Sequence, residues 1–106
     1  MDVDALIVEI ATNRARNTIH SQQRRSERAI AWDAIRASIV RGYEVVERTV
    51  DGRKVLLLSR MTDKRPLHTV WVWDDTDDEP RLVTCYQPDE PGHKAEWKNG
   101  YRQRAR

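Results

Sequence analysis

A run beginning at residue 20 places one imidazole and two guanidinium groups at helical spacing. Arg24 follows His20 by four residues and Arg28 follows it by eight, so all three side chains share one face of a helix. An imidazole that titrates near neutral pH can take or give a proton, and guanidinium groups can hold a phosphodiester and stabilise charge on its oxygens. These groups suffice for metal-free cleavage of RNA, in which the 2′-hydroxyl of the substrate is the nucleophile.

Each member of this group also has a purely structural interpretation. His20 can be a helix-start residue that hydrogen-bonds to the backbone. Arg24 and Arg28 can lie with Glu27 on a solvated, charged helix face. The sequence alone leaves both interpretations open.

Three further candidates lie in segments with strand character. His68 stands between Leu67 and Thr69, Tyr86 follows Cys85, and Lys54 begins a run of apolar residues. Because side chains alternate along a strand, each can project from whichever sheet face stays open. We expect His20 or His68 to act as general base or acid. Tyr86 is expected to orient the substrate or to donate a hydrogen bond to it. A lone histidine in a strand can equally be a satisfied structural group.

The sequence predicts neither a metal nor a cofactor. His20, His68, Cys85 and His93 show no close paired ligand spacing, and no glycine-rich phosphate loop or nucleophile elbow is present. The single cysteine excludes an internal disulfide framework.

Length and composition predict one domain with a small core and a charged surface. The chain has 106 residues, of which 39% are hydrophobic and 34% charged, with a net charge of +2. No apolar run approaches the roughly 20 residues that span a bilayer, and the charged N-terminal stretch lacks a signal sequence. We therefore expect a cytoplasmic protein that does not associate with a membrane.

The hydrophobic pattern predicts helices first and strands afterwards. Helices are expected over about residues 4–15, 21–28 and 31–41, with Gly42 as a left-handed C-terminal cap. Strands are expected over residues 43–50, 54–60, 66–73 and 81–86, the first two joined by the hairpin signal Asp51-Gly52. The predicted fold is α+β, with the helices covering one face of a four-stranded antiparallel meander.

The last segment, residues 89–106, is basic and contains Trp97 and Tyr101 four residues apart. These aromatic residues can anchor the segment on the sheet, or the segment can be a basic arm for single-stranded nucleic acid. Together with the arginines of the helical half it favours a partner that carries phosphate, although charge runs are often solvated faces.

The order of several short motifs resembles a known family. The run from His20 to Ile30, the strand Pro66-Leu67-His68 and the ending Leu82 to Pro88 resemble the domain-of-unknown-function family numbered 4258. The likeness covers about residues 4–102. That family is similar to small bacterial toxins of the RelE, BrnT and MqsR type.

The resemblance implies a RelE-like fold and a metal-independent endoribonuclease toxin that is neutralised by a cognate antitoxin. The recurrent polar positions of the family match His20, Arg24, Arg28, His68, Thr84 and Tyr86. We expect Arg24, Arg28 and Thr84, together with Lys54 from the strand pattern, to bind substrate. Two other interpretations remain: a non-catalytic module that binds nucleic acid or an acidic protein through its Arg-rich face, and an immunity or antitoxin-like protein.

Overall fold

Three short helices occupy the N-terminal part of the chain. A computed structural model describes residues 1–105, except for the side chains of Ile19 and His20. The helices are α1 (Val3–Ala11), α2 (Ile19–Arg28) and α3 (Trp32–Arg41). The longest have ten residues, about half of the roughly 20 that a bilayer requires, so no helix of the described chain could cross a membrane.

Side-chain caps set the beginnings of the first two helices. Asp2 accepts a hydrogen bond from the N–H of Ala5 at 3.2 Å, and Thr18 accepts one from the N–H of Ser21 at 3.0 Å. The cap at Thr18 starts α2 two residues before the predicted position. Asn13, at φ 60°, ends the helical path of α1 well before residue 15.

The left-handed helix cap falls at a different residue from the one predicted. Gly42 has φ 165°, which is extended, because the chain leaves α3 directly into a strand. The left-handed residue is Ala29 at the end of α2, with φ 54°. The N–H groups of Ala29 and Ile30 donate to the carbonyls of Ser26 and Arg25, which completes a Schellman cap.

A five-stranded mixed sheet follows the helices. Its strands are β1 (Arg16–Asn17), β2 (Glu44–Arg48), β3 (Lys54–Arg60), β4 (Pro66–Asp74) and β5 (Glu79–Tyr86), in the order β1-β5-β4-β3-β2. Neighbouring strands from β2 to β5 are antiparallel, whereas β1 runs parallel to β5. The prediction of a four-stranded, wholly antiparallel sheet is therefore wrong. The sequence carries no signal for β1, because two residues are too few to show strand alternation.

One face of the sheet packs against α1 and α3. A buried hydrogen bond of 2.9 Å between the hydroxyls of Ser38 and Ser59 joins α3 to β3, and Trp71 donates its indole N–H to Thr69 at 2.8 Å. The apolar residues of this core that are fully buried are Leu6, Ile10, Ile35, Ile39, Leu57, Leu67, Trp71, Leu82 and Cys85.

The C-terminal segment folds onto the opposite sheet face. A 3₁₀ turn (Lys94–Glu96) leads into β6 (Trp97–Lys98) and β7 (Gln103–Arg104), which pair as a small antiparallel hairpin. We call residues 97–104 the C-terminal hairpin. Trp97 is 6% exposed, and Arg102 and Arg104 form ion pairs with Glu44 and Glu47 of β2, both at 2.9 Å. The segment is thus a docked element that Trp97 anchors, as in the first of the two expectations.

The strained cap at Ala29 gives a stability prediction. Ala29→Gly is expected to raise the free energy of unfolding by about 0.5–1 kcal/mol, because glycine adopts the left-handed conformation without the cost of a Cβ atom. Urea unfolding at neutral pH measures the difference. The matched control is Ala37→Gly on the exposed side of α3, which should lower the same quantity by about 1 kcal/mol. Equal effects at the two positions would contradict the assignment of the cap.

Candidate functional site

A row of four paired residues crosses the sheet face that carries the C-terminal hairpin. Glu44 of β2 is opposite Leu58, Leu58 is opposite His68, and His68 is opposite Tyr86. Facing positions of antiparallel strands project on the same side. The register therefore brings His68 and Tyr86, two of the predicted catalytic residues, into contact.

His68 is completely buried and uses both ring nitrogens. Its Nδ1 lies 3.2 Å from the hydroxyl oxygen of Tyr86, and its Nε2 lies 2.9 Å from the backbone oxygen of Tyr101. The ring of Trp97 packs edge-on against the imidazole, with 4.4 Å between ring centroids. The C-terminal hairpin therefore shields His68 from water and supplies one of its hydrogen-bond partners.

The hydrogen bonds fix the tautomer of His68 and the direction of the Tyr86 proton. A carbonyl oxygen only accepts, so Nε2 carries a proton and donates it to Tyr101. Burial lowers the pKa of His68 to about 4, which leaves Nδ1 unprotonated at neutral pH and able to accept. The hydroxyl of Tyr86 is therefore the donor.

Neither member of this pair titrates near neutral pH. Burial raises the pKa of Tyr86 to about 12, far above that of His68. Proton transfer from Tyr86 to His68 is accordingly very unfavourable. The geometry suits His68 to positioning Tyr86 more than to general acid or base catalysis.

A cationic groove of about 400 Å³ opens beside Tyr86 on this sheet face. Its apolar lining includes Leu56 and Val70, and its charged lining comprises Arg48, Lys54, Arg104 and Glu47. Three cations and one carboxylate give the groove a positive balance, which is suited to a phosphate-bearing chain. This groove and the adjoining His68–Tyr86 pair form the candidate site.

The three cations differ in how freely they can meet a ligand. Within the described part of the chain, the ammonium group of Lys54 has no hydrogen-bond or ion-pair partner, and the residue is exposed. Arg48 makes a long contact of 3.4 Å to the carbonyl of Met1. Arg104 forms two hydrogen bonds to Glu47, at 2.9 and 3.0 Å, and stacks over Trp97 at 4.3 Å. Lys54 is therefore the cation most available to an incoming anion.

The remaining predicted site residues are distributed around β5 and α2. Thr84 pairs with Val70 on the same register row as the groove floor. Arg28 donates from Nη1 to the carbonyl of Cys85 at 2.8 Å, which holds its guanidinium at the end of β5, next to Tyr86. Arg24 is paired with Glu27 at 3.4 Å on the surface of α2. The side chain of His20 lies outside the described residues, so its predicted role stays a prediction.

The structure adds functional candidates that the sequence pattern did not reveal. The ring of His93 stacks on that of Tyr86, with 4.6 Å between centroids and an interplanar angle of 26°, although its position after Pro91 and Gly92 is typical of an exposed loop. Tyr101 contributes through its backbone, which no residue-type pattern can show. Arg104 reaches the groove because the C-terminal hairpin docks. Its clustering with Trp97 in the basic tail was the only available signal.

The described residues contain no group of three or more histidine, cysteine, aspartate or glutamate side chains placed to hold a metal ion.

The fold and the site together define an α+β domain in which the C-terminal hairpin closes over a His–Tyr pair beside a cationic groove. The chain belongs to the family described as Domain of unknown function (DUF4258), which matches residues 18–87. The match begins at the cap of α2 and ends one residue after Tyr86, so the C-terminal hairpin lies beyond it. No curated protein and no solved structure matches the chain.

The buried imidazole predicts a pH-dependent stability. The folded His68 has a pKa of about 4, against 6.5 for an exposed imidazole, so the unfolded chain binds more protons between these values. Stability from this group is complete above pH 6.5 and falls as the pH drops towards 4, by up to about 3 kcal/mol. Urea unfolding of wild type and His68→Gln at pH 7 and pH 5 tests this expectation.

We expect His68→Gln to be less stable than wild type at pH 7 and to lose less stability on acidification. The matched control is His93→Gln, which removes a partly exposed imidazole and leaves His68 buried. Wild-type stability that depends on pH no more steeply than that of His68→Gln would contradict the burial of a neutral imidazole.

Proposed function

We propose that this domain is a metal-independent endoribonuclease that binds single-stranded RNA in the cationic groove. The observation that supports this proposal best is the convergence of Arg48, Lys54 and Arg104 from three separate segments around Tyr86. Phosphates of the RNA chain would contact these cations, and unstacked bases would meet the apolar floor.

In the proposed reaction, the ribose 2′-oxygen attacks the adjacent phosphorus. The bond from phosphorus to the 5′-oxygen breaks, leaving a 2′,3′-cyclic phosphate on one product and a 5′-hydroxyl on the other. The base takes the 2′-proton and an acid returns a proton to the leaving oxygen, while Lys54 and the arginines balance charge on the phosphate. His20 and His93 are the imidazoles assigned to proton transfer, because His68 is buried and held neutral.

A second candidate function is binding of RNA without cleavage. It is favoured by the pKa values of His68 and Tyr86, about 4 and about 12, since neither group exchanges protons readily at neutral pH. In that case the same groove would recognise RNA, and the His68–Tyr86 pair would serve recognition alone.

Within the first proposal, the protein would be a toxin similar to the RelE, BrnT and MqsR type, acting in the cytoplasm. A cognate antitoxin would neutralise it by covering the groove. An acidic antitoxin segment fits this role, because its carboxylates would replace RNA phosphates on Lys54 and Arg48.

Cleavage is tested by incubating purified protein with a single-stranded RNA in excess EDTA. We expect fragments that end in 2′,3′-cyclic phosphate, and a rate that falls by about 10²–10⁴-fold in whichever of His20→Ala and His93→Ala removes the base. Intact RNA together with salt-sensitive binding would support the second candidate function. Intact RNA without binding would contradict both.

The groove is tested separately by the salt dependence of binding. Lys54→Ala is expected to weaken RNA binding and to reduce the slope of log affinity against log salt by about 0.7, the value for one phosphate contact on a single strand. The matched control is Lys64→Ala, because Lys64 lies in the exposed turn between β3 and β4. Equal effects of the two substitutions would argue against the groove as the RNA site.

A further inference from the structure

The hydroxyl of Tyr86 offers lone pairs, and no proton, to the groove. Its proton is donated to Nδ1 of His68, because Nε2 of that ring donates to the carbonyl of Tyr101. Among the described residues, His68 is the one hydrogen-bond partner of this hydroxyl. The remaining acceptor capacity of the Tyr86 oxygen is therefore free for a ligand.

This polarity restricts which atoms of a nucleic acid can bond to Tyr86. Phosphate oxygens and bridging ester oxygens only accept hydrogen bonds, so they cannot pair with an oxygen that has no proton to give. A ribose 2′-hydroxyl can donate, whereas deoxyribose has no such group. Tyr86 shares the groove with Lys54, so a sugar whose phosphate contacts this cation would bring its 2′-position close to the tyrosine.

We infer that Tyr86 accepts a hydrogen bond from the ribose 2′-hydroxyl of a nucleotide other than the one cleaved, and thereby distinguishes RNA from DNA in the groove. This inference rests on the proposed RNA ligand. Tyr86 is then a specificity-determining residue, and His68 and the carbonyl of Tyr101 are positioning groups that keep its proton turned away from the ligand.

The orientation of the Tyr86 hydroxyl is fixed by the two hydrogen bonds of the His68 imidazole, one at each ring nitrogen. Turning the Tyr86 hydroxyl towards the groove would leave the buried, unprotonated Nδ1 of His68 without a donor, unless Nδ1 gained a proton and became part of a charged imidazole enclosed by Trp97 and Tyr86. Burying that charge is unfavourable. The acceptor role of Tyr86 should therefore persist throughout the neutral pH range.

The test uses three oligouridylates of one length that differ only at the 2′-position. A 2′-amino group donates a hydrogen bond at pH 8 but does not cleave the chain, a 2′-fluoro group cannot donate, and the 2′-deoxy chain lacks the substituent. We expect the full-length protein to bind the 2′-amino chain about five-fold more tightly than the other two, the range of one neutral hydrogen bond.

Tyr86→Phe should bind all three chains alike, with an affinity near that of wild type for the 2′-deoxy chain. Each protein is compared with itself across the three probes, so a general loss of folded protein does not change the ratio. The matched control is Tyr43→Phe, because Tyr43 lies outside the groove lining; this variant should keep the five-fold preference.

Equal binding of the three chains by wild type, or an unchanged preference in Tyr86→Phe, would overturn the inference. Cleavage of natural RNA is measured in parallel. Cleavage without 2′-discrimination would leave the proposed endoribonuclease function standing and reject the role of Tyr86. Discrimination without cleavage would reject the catalytic proposal alone.

Discussion

The imidazole of His68 must have both nitrogens satisfied because it is enclosed on every side. A buried polar atom without a partner costs about 1–3 kcal/mol, and the two partners come from different parts of the chain. Tyr86 belongs to β5, and the carbonyl of Tyr101 belongs to the C-terminal hairpin. Docking of the hairpin and the orientation of Tyr86 are thus a single coupled event. Exposed ion pairs such as Arg102 with Glu44 add little by comparison.

Short-range signals accounted for much of the fold. The β-branched run and the Asp51-Gly52 signal predicted the hairpin of β2 and β3. Its turn is closed by a hydrogen bond of 2.9 Å from the N–H of Gly52 to the carbonyl of Thr49, with Gly52 at a left-handed φ of 71°. Pairings without a local signal were missed. β1 exists because the chain passes the free edge of β5 between two helices, and the C-terminal hairpin depends on a pocket formed by other elements.

The site was predictable in its residue types but not in its register. A β-bulge at Val83 separates the pairs Thr84 with Val70 and Leu82 with Trp71. This extra residue lets Leu82 and Cys85 both enter the core although they are three positions apart, and it turns Tyr86 towards the other face. The sequence shows only an apolar run at this point. Simple alternation therefore identified both His68 and Tyr86 as strand residues but could not fix the two on the same face of the sheet.

The cations of the groove differ in how many existing contacts they must give up to bind a phosphate. Arg104 already makes two hydrogen bonds to Glu47 and stacks on Trp97, so a phosphate must displace a carboxylate before it gains the guanidinium. That exchange also loosens an attachment of the C-terminal hairpin, and with it the carbonyl that fixes His68. Among the described residues, the ammonium group of Lys54 has no partner that a phosphate would have to displace. A ligand that binds through Lys54 and Tyr86 leaves the hairpin closed, whereas one that draws on Arg104 weakens the element that orients Tyr86.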